Sequence, residues 1–119
     1  MKIEVSNGEI VDKQTILIIK KTEITDESKL KNIEAELTMI NNFISKIELD
    51  LQDYINLLNI NRQLWDVEDE LRLCEQQERF DDYFITLARS VYKLNDERAA
   101  IKKSINLSTG STVVEEKSY

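Results

Sequence analysis

LKNIEAELTMINNFISKIELDL, residues 30–51, sets Leu30, Ile33, Leu37, Ile40, Ile44, Ile47 and Leu51 at alternating steps of three and four. Residues so spaced share one face of an α-helix, and an apolar face of this length is the seam along which a helix lies against another helix. The surroundings extend the reading, because neither glycine nor proline occurs from Glu9 to Thr109. Helices with few breaks follow. The expectation is an all-α fold, an antiparallel helical bundle or coiled-coil hairpin of about four helices, forming one domain over residues 1–119. Short extended segments are expected at residues 1–6 and 109–119.

Ser6 precedes the first helix with Glu9 three residues on, the pattern of a capping box, and Val5 with Ile10 has the spacing of a hydrophobic staple. The helix is expected from about Asn7 to Ile24. Its apolar residues Ile10, Val11, Ile16, Leu17, Ile18 and Ile19 cover so much of its circumference that it is buried on more than one side. Thr25 and Asp26 offer oxygens for the next helix start, near Glu27. After Leu51 the apolar register changes to Leu57, Ile60, Leu64, Val67, Leu71 and Cys74. A turn between Ser45 and Asp53, closing a helical hairpin, accounts for the change better than one helix longer than fifty residues. The third helix is expected to end near Glu78. Asp81 or Asp82 then caps a fourth running to about Ser108, where Gly110 supplies a left-handed stop.

Charge places the last two helices side by side. From Glu34 to Asp82 there are thirteen acidic residues against Lys46, Arg62, Arg72 and Arg79, whereas Arg89 to Lys103 holds five basic residues against Asp96 and Glu97. The fourth helix carries one apolar stripe through Phe84, Leu87, Val91, Leu94, Ile101 and Ile105. A second strip, Ile85, Ala88, Tyr92, Asn95 and Ala99, has alanines small enough for close approach. This helix is expected to be central. The β-prone Thr112-Val113-Val114 is expected to pair with Ile3 to Val5.

Composition removes most catalytic designs. The formal charge of −7 disfavours nucleic acid, which needs a basic footprint, and the absence of histidine removes imidazole acid–base chemistry and the usual zinc sites. Gly8 and Gly110 cannot form a phosphate-cradling loop. No cofactor and no metal are expected. The charged start Met1-Lys2-Ile3-Glu4 and the short aliphatic run Ile16 to Ile19 point to a cytoplasmic protein without membrane insertion. A chain this short, made of long helices, buries little surface alone, so a homodimer is expected. The single cysteine, Cys74, continues an apolar stripe and reads as a core residue.

What chemistry remains is on a polar stripe of the third helix, Asn61, Trp65, Glu68, Arg72 and Glu75, at steps of three and four. Where it meets the strip of the fourth helix, Trp65, Glu68 and Arg72 approach Arg89, Tyr92, Asn95 and Arg98, an aromatic wall with cations and a carboxylate. Such a cleft suits an anion or a sugar phosphate, whereas the same residues serve equally as ordinary helix pairs and register-fixing polar groups. Asp66, Glu68, Asp69 and Glu70 diverge around one helix and form a solvated acidic face. The tail, with Glu115, Glu116, Lys117 and Tyr119, is a candidate partner-binding arm.

The chain resembles an uncharacterised domain-of-unknown-function family of bacteria and their phages. The resemblance rests on Gly8-Glu9-Ile10-Val11-Asp12-Lys13 with Thr15-Ile16-Leu17, Leu64-Trp65 with Glu68-Asp69 and Arg72, Phe84-Ile85 through Tyr92, Asn95-Asp96 with Arg98-Ala99, and Val114 to Tyr119. It implies a stand-alone helical protein, associated with surface-polysaccharide glycosyltransferases, with no activity to carry over. It also implies a variable connection at Ser45 to Asp53. A fainter similarity, Leu57-Leu58 with Arg62, is to the helical chorismate mutase, but the further cations that enzyme needs have no counterpart here. The expected role is that of a helical interaction or scaffold protein, more an interaction module than an enzyme. The alternative is a small anion-binding domain.

Overall fold

Ser6, Asp26, Asp50 and Asp81 each turn a side-chain oxygen onto the backbone N–H three residues ahead, at Glu9, Lys29, Asp53 and Phe84. Each thereby satisfies one of the donors that a helix start leaves open. The computed structural model describes residues 4–111. Among them these caps open α1 (Asn7–Glu23), α2 (Glu27–Ile44), α3 (Leu51–Gln76) and α4 (Asp82–Ser108). The fold is all-α. Among the described residues no helix is long and apolar enough to cross a membrane.

The predicted boundaries of α1 and α4, the start of α2 and the end of α3 hold to within two residues, the turn expected between Ser45 and Asp53 falls between Ile44 and Leu51, and Gly110 adopts the left-handed φ of 68° expected of it. The Ser6 half of the capping box is present, with the Glu9 N–H donating to Ser6 Oγ, and the Glu9 carboxylate pairs with Lys102 at 2.5 Å. Val5 is 47% exposed, so the staple with Ile10 leaves it largely in solvent. The expected pairing of residues 3–5 with 112–114, the extended tail and its residues Glu115, Glu116, Lys117 and Tyr119 lie outside the described residues.

The central helix is α1, not α4. It packs on α2, α3 and α4, whereas α2 packs along neither α3 nor α4 and reaches their shared core at its last residue, Ile44. The reason is visible in its sequence, where two apolar faces serve two cores. Val11 joins Leu57 of α3 and Ile105 of α4, all fully buried, under Ile44, Ile47, Leu49 and Tyr54. On the other side Leu17 meets Ile33 and Leu37 of α2, flanked by Ile18, Ile24 and Ile40. Full burial of each such aliphatic side chain contributes about 1.5–3 kcal/mol.

The chain does turn between α2 and α3, but the helices flanking the turn are not neighbours, because the α2 seam is taken by α1. The stripe from Leu30 is accordingly divided. Its first part lies on α1, Ile44 and Ile47 fold into the other core, and Leu51, restarted by the Asp50 cap, is 70% exposed. The oppositely charged α3 and α4 pack as an antiparallel pair, with bonds from the Tyr83 hydroxyl to Glu70 at 2.8 Å and from the Ser104 hydroxyl to Asp53 at 3.0 Å.

At the α3–α4 tip the Arg79 N–H bonds back to the Cys74 carbonyl, and Glu78 adopts a left-handed φ of 53°. Arg79 pairs with Asp81 at 2.8 Å and lies 4.4 Å from the centre of the Tyr83 ring, while Phe80 and Phe84 meet edge to face. The hydrogen bond from Arg79, aided by the Phe84 N–H, holds the Asp81 carboxyl below the usual carboxylate range. A group whose folded pKa is depressed stabilises above its unfolded pKa and loses that contribution as pH falls through the folded value. Amide exchange at Phe84, corrected for intrinsic rate, is therefore expected to rise on acidification below the ordinary aspartate range. An Asp81→Asn variant should show a flat profile.

Candidate functional site

The chemistry-bearing residues gather where α1 crosses the α3–α4 pair. Asp12, its side chain only 2% exposed, accepts two parallel bonds from Arg98, with Nε to Oδ1 at 2.9 Å and Nη2 to Oδ2 at 2.5 Å. This fork is the strong geometry for a guanidinium and a carboxylate. Asn61 of α3 donates through Nδ2 to Asp12 Oδ1 at 2.9 Å and to Thr15 Oγ1 at 2.8 Å, and Thr15 donates in turn to the Asp12 carbonyl. Asn95 accepts from Arg98 at 3.4 Å. One residue of α1 thus joins both long helices.

Two further ties flank the cluster. On the α3 side the Tyr54 hydroxyl donates to Gln14 at 2.7 Å, and Gln14 donates to Asn41 at 3.2 Å. Farther along, Arg62 pairs with Glu23 at 2.6 Å and with Asp66 at 3.3 Å, and the bond to Glu23 raises the Arg62 pKa. On the α4 side the Gly8 N–H donates to Asn106 Oδ1 at 2.6 Å, and Asn7 bonds to Thr109 and Ser111. Gly8 is needed here because a Cβ on it would clash with the Lys102 carbonyl oxygen.

Every buried side-chain nitrogen or oxygen among the described residues has a partner. The cluster is therefore closed, with no buried polar atom left over to receive a ligand. No group of three or more histidine, cysteine or acidic side chains among the described residues converges as a metal site. An open groove of about 480 Å³ runs between α3 and α4 near Ile60 and Ile101, edged by Asn56, Asn59, Gln63 and Glu97. None of the sequence-predicted site residues lines it.

Those residues divide in two. Asn95 and Arg98 belong to the closed cluster. Trp65 and Glu68 continue the α3 face that carries Asn61, and Tyr92 continues the α4 face that carries Asn95, both beyond the crossing of α1. Trp65 is half-buried and Tyr92 is 54% exposed. Arg72 pairs within its own helix, with Asp69 at 3.0 Å and Glu68 at 3.9 Å. Arg89 is exposed, and its side chain takes part in no ion pair or hydrogen bond among the described residues. Asp12, Thr15 and Gly8 escaped the sequence-level list of site residues. The available signal was an aspartate and a threonine at spacing three inside an otherwise apolar helix buried on several sides.

Comparison with known families gives a match. The profile described as a family of unknown function (DUF6165) matches residues 1–119. The chain belongs to this family. No curated protein and no solved structure matches the chain. The DUF6165 assignment fits the resemblance noted from the sequence; of its residues, Gly8 and Asp12 meet Asn106 and Arg98 where α1 crosses α4.

Proposed function

We propose that this protein works by binding another protein, with the outer half of the α3–α4 hairpin as its docking surface, and that it carries out no reaction of its own. A cytoplasmic location and a homo-oligomeric state belong to the same reading. The observation that carries it is the burial pattern. Between Trp65 and Leu94 only Cys74 is buried, although this stretch holds a dozen large apolar residues. Leu73 is 45% exposed, Phe80 53%, Ile85 51% and Tyr92 54%. Two helices alone cannot cover their apolar surface, and exposed apolar residues gathered on one element mark an interaction site. Trp65, Glu68, Arg72, Arg89 and Tyr92 then act as contact residues, while Asn95 and Arg98 hold the hairpin against α1.

A photo-crosslinking amino acid placed at Ile85 or Tyr92 tests the reading in cells. Both positions are expected to capture protein in discrete adducts, whereas Lys31, exposed on the outer face of α2, yields none. Equal labelling at Lys31, or no adduct from the hairpin, would overturn it.

A further inference from the structure

We propose that the docked partner is a second copy of this chain, packed antiparallel on the face of the outer hairpin that α1 occupies at its base. This rests on the docking reading above. The α1 seat is defined by Tyr54, Asn61 and Arg62 on α3 and by Arg98, Lys102 and Asn106 on α4. Carried outward at steps of three and four, the same faces continue as Trp65, Glu68 and Arg72 on α3 and as Tyr92, Ala88 and Ile85 on α4. Helix α1 ends at Glu23, so an existing helix seat runs on without an occupant from this chain among the described residues.

The order of residues on this face is self-complementary. The Tyr83–Glu70 and Ser104–Asp53 bonds fix the register of α3 against α4. At that register Arg72 and Ile85 lie towards the tip, Trp65 and Tyr92 towards the base, and Glu68 and Ala88 halfway. A half-turn about an axis crossing both helices at the Ala88 level superimposes each end on the other. Ile85 then lies over the partner's Tyr92, Arg72 over the partner's Trp65, and Ala88 over the partner's Ala88. An aliphatic side chain meets an aromatic one, a guanidinium meets an indole face, and the smallest residue sits where the backbones approach most closely. Such repetition of one patch on both subunits is what a two-fold interface requires.

Sterics select the antiparallel arrangement. With the hairpins parallel, the two α1 helices would compete for the same space at the base, whereas antiparallel packing brings each tip onto the outer half of the other copy. Like charges meet only at Glu68 near the axis, and each Glu68 has Arg72 of its own helix at 3.9 Å. The shared length, about twelve residues or ~18 Å of helix, is small for a protein interface, so the dimer dissociates on dilution.

Sedimentation of the full chain over a dilution series is expected to show a reversible monomer–dimer equilibrium. Ala88→Glu should raise the dissociation constant about tenfold or more, a change of ~1.4 kcal/mol, with the helical circular dichroism unchanged. A second measurement uses a Cys74→Ala background. There Ala88→Cys, which faces its own copy across the axis, is expected to form a disulfide-linked dimer under mild oxidation far faster than Lys31→Cys. Monomer at every concentration, or equal rates at the two cysteines, would overturn the dimer. Photo-adducts from Ile85 or Tyr92 with a different protein, on a chain that sediments as monomer, would sink the second copy as partner and leave the docking surface standing.

Discussion

Replacing Asp12 by alanine is expected to lower the unfolding free energy by about 3–5 kcal/mol, the range for removing one partner of a buried ion pair. Domains of this size have only about 5–15 kcal/mol in total, so much of the stability goes with one carboxylate. The cost arises because the Arg98 side chain, 27% exposed, loses both bonds that neutralise it, and Asn61 loses one of its two acceptors. Denaturant unfolding followed by circular dichroism measures the change, with an unaltered slope showing that the same surface is exposed. The double variant Asp12→Leu with Arg98→Met is the control. Replacing both members of such a pair by apolar residues is often neutral or stabilising, so it should recover most of the loss. A single-variant loss below about 1 kcal/mol would mean that the fork contributes no more than an exposed pair.

Gly8→Ala is the second large effect, and its sign is the informative part. Inside a helix this exchange ordinarily stabilises by about 1 kcal/mol. Here the added methyl would strike the Lys102 carbonyl and crowd Asn106, whose side chain accepts the buried Gly8 N–H. Overpacking costs about 1–3 kcal/mol and loss of a buried hydrogen bond about as much again, so a destabilisation of about 2–4 kcal/mol is expected. Thermal and denaturant unfolding of the variant will decide it. A gain in stability would show that α1 and α4 are not held at this separation in solution.

The helices were legible in the sequence because their start signals are local. Ser6, Asp26 and Asp81 act on the N–H three residues ahead, and such signals are read without knowledge of the fold, whereas the Asp50 cap of α3 is not legible among apolar neighbours that carry no strong turn signal. The arrangement was less legible, since a stripe such as Leu30 to Leu51 says that a helix is covered without saying by which neighbour. The breadth of the α1 apolar surface was the clue to its central place, and the alanine strip of α4 competed with it. Of the site residues, Arg98 and Asn95 were found through spacing on one helix. Their partner Asp12 was not, because it lies 86 residues away from Arg98 in sequence and nothing local links them. The strip Ile85, Ala88, Tyr92 reads in the sequence as a close-approach face, yet within this chain Ile85 and Tyr92 are about half exposed and only its continuation at Asn95 lies by α1.

The seating of α1 also shapes how the molecule is made. Helical proteins usually fold quickly because most of their contacts join residues close in sequence. Here α1 has its main polar partners on α4, Arg98 and Asn106, 86 and 98 residues downstream. During synthesis it can lean on α2 and then on α3, and its seat is complete only when α4 emerges. The last step of assembly is then a loop closure spanning 86 to 98 residues, and nascent chains that stall before Arg98 leave part of the apolar α1 face for chaperones to shield.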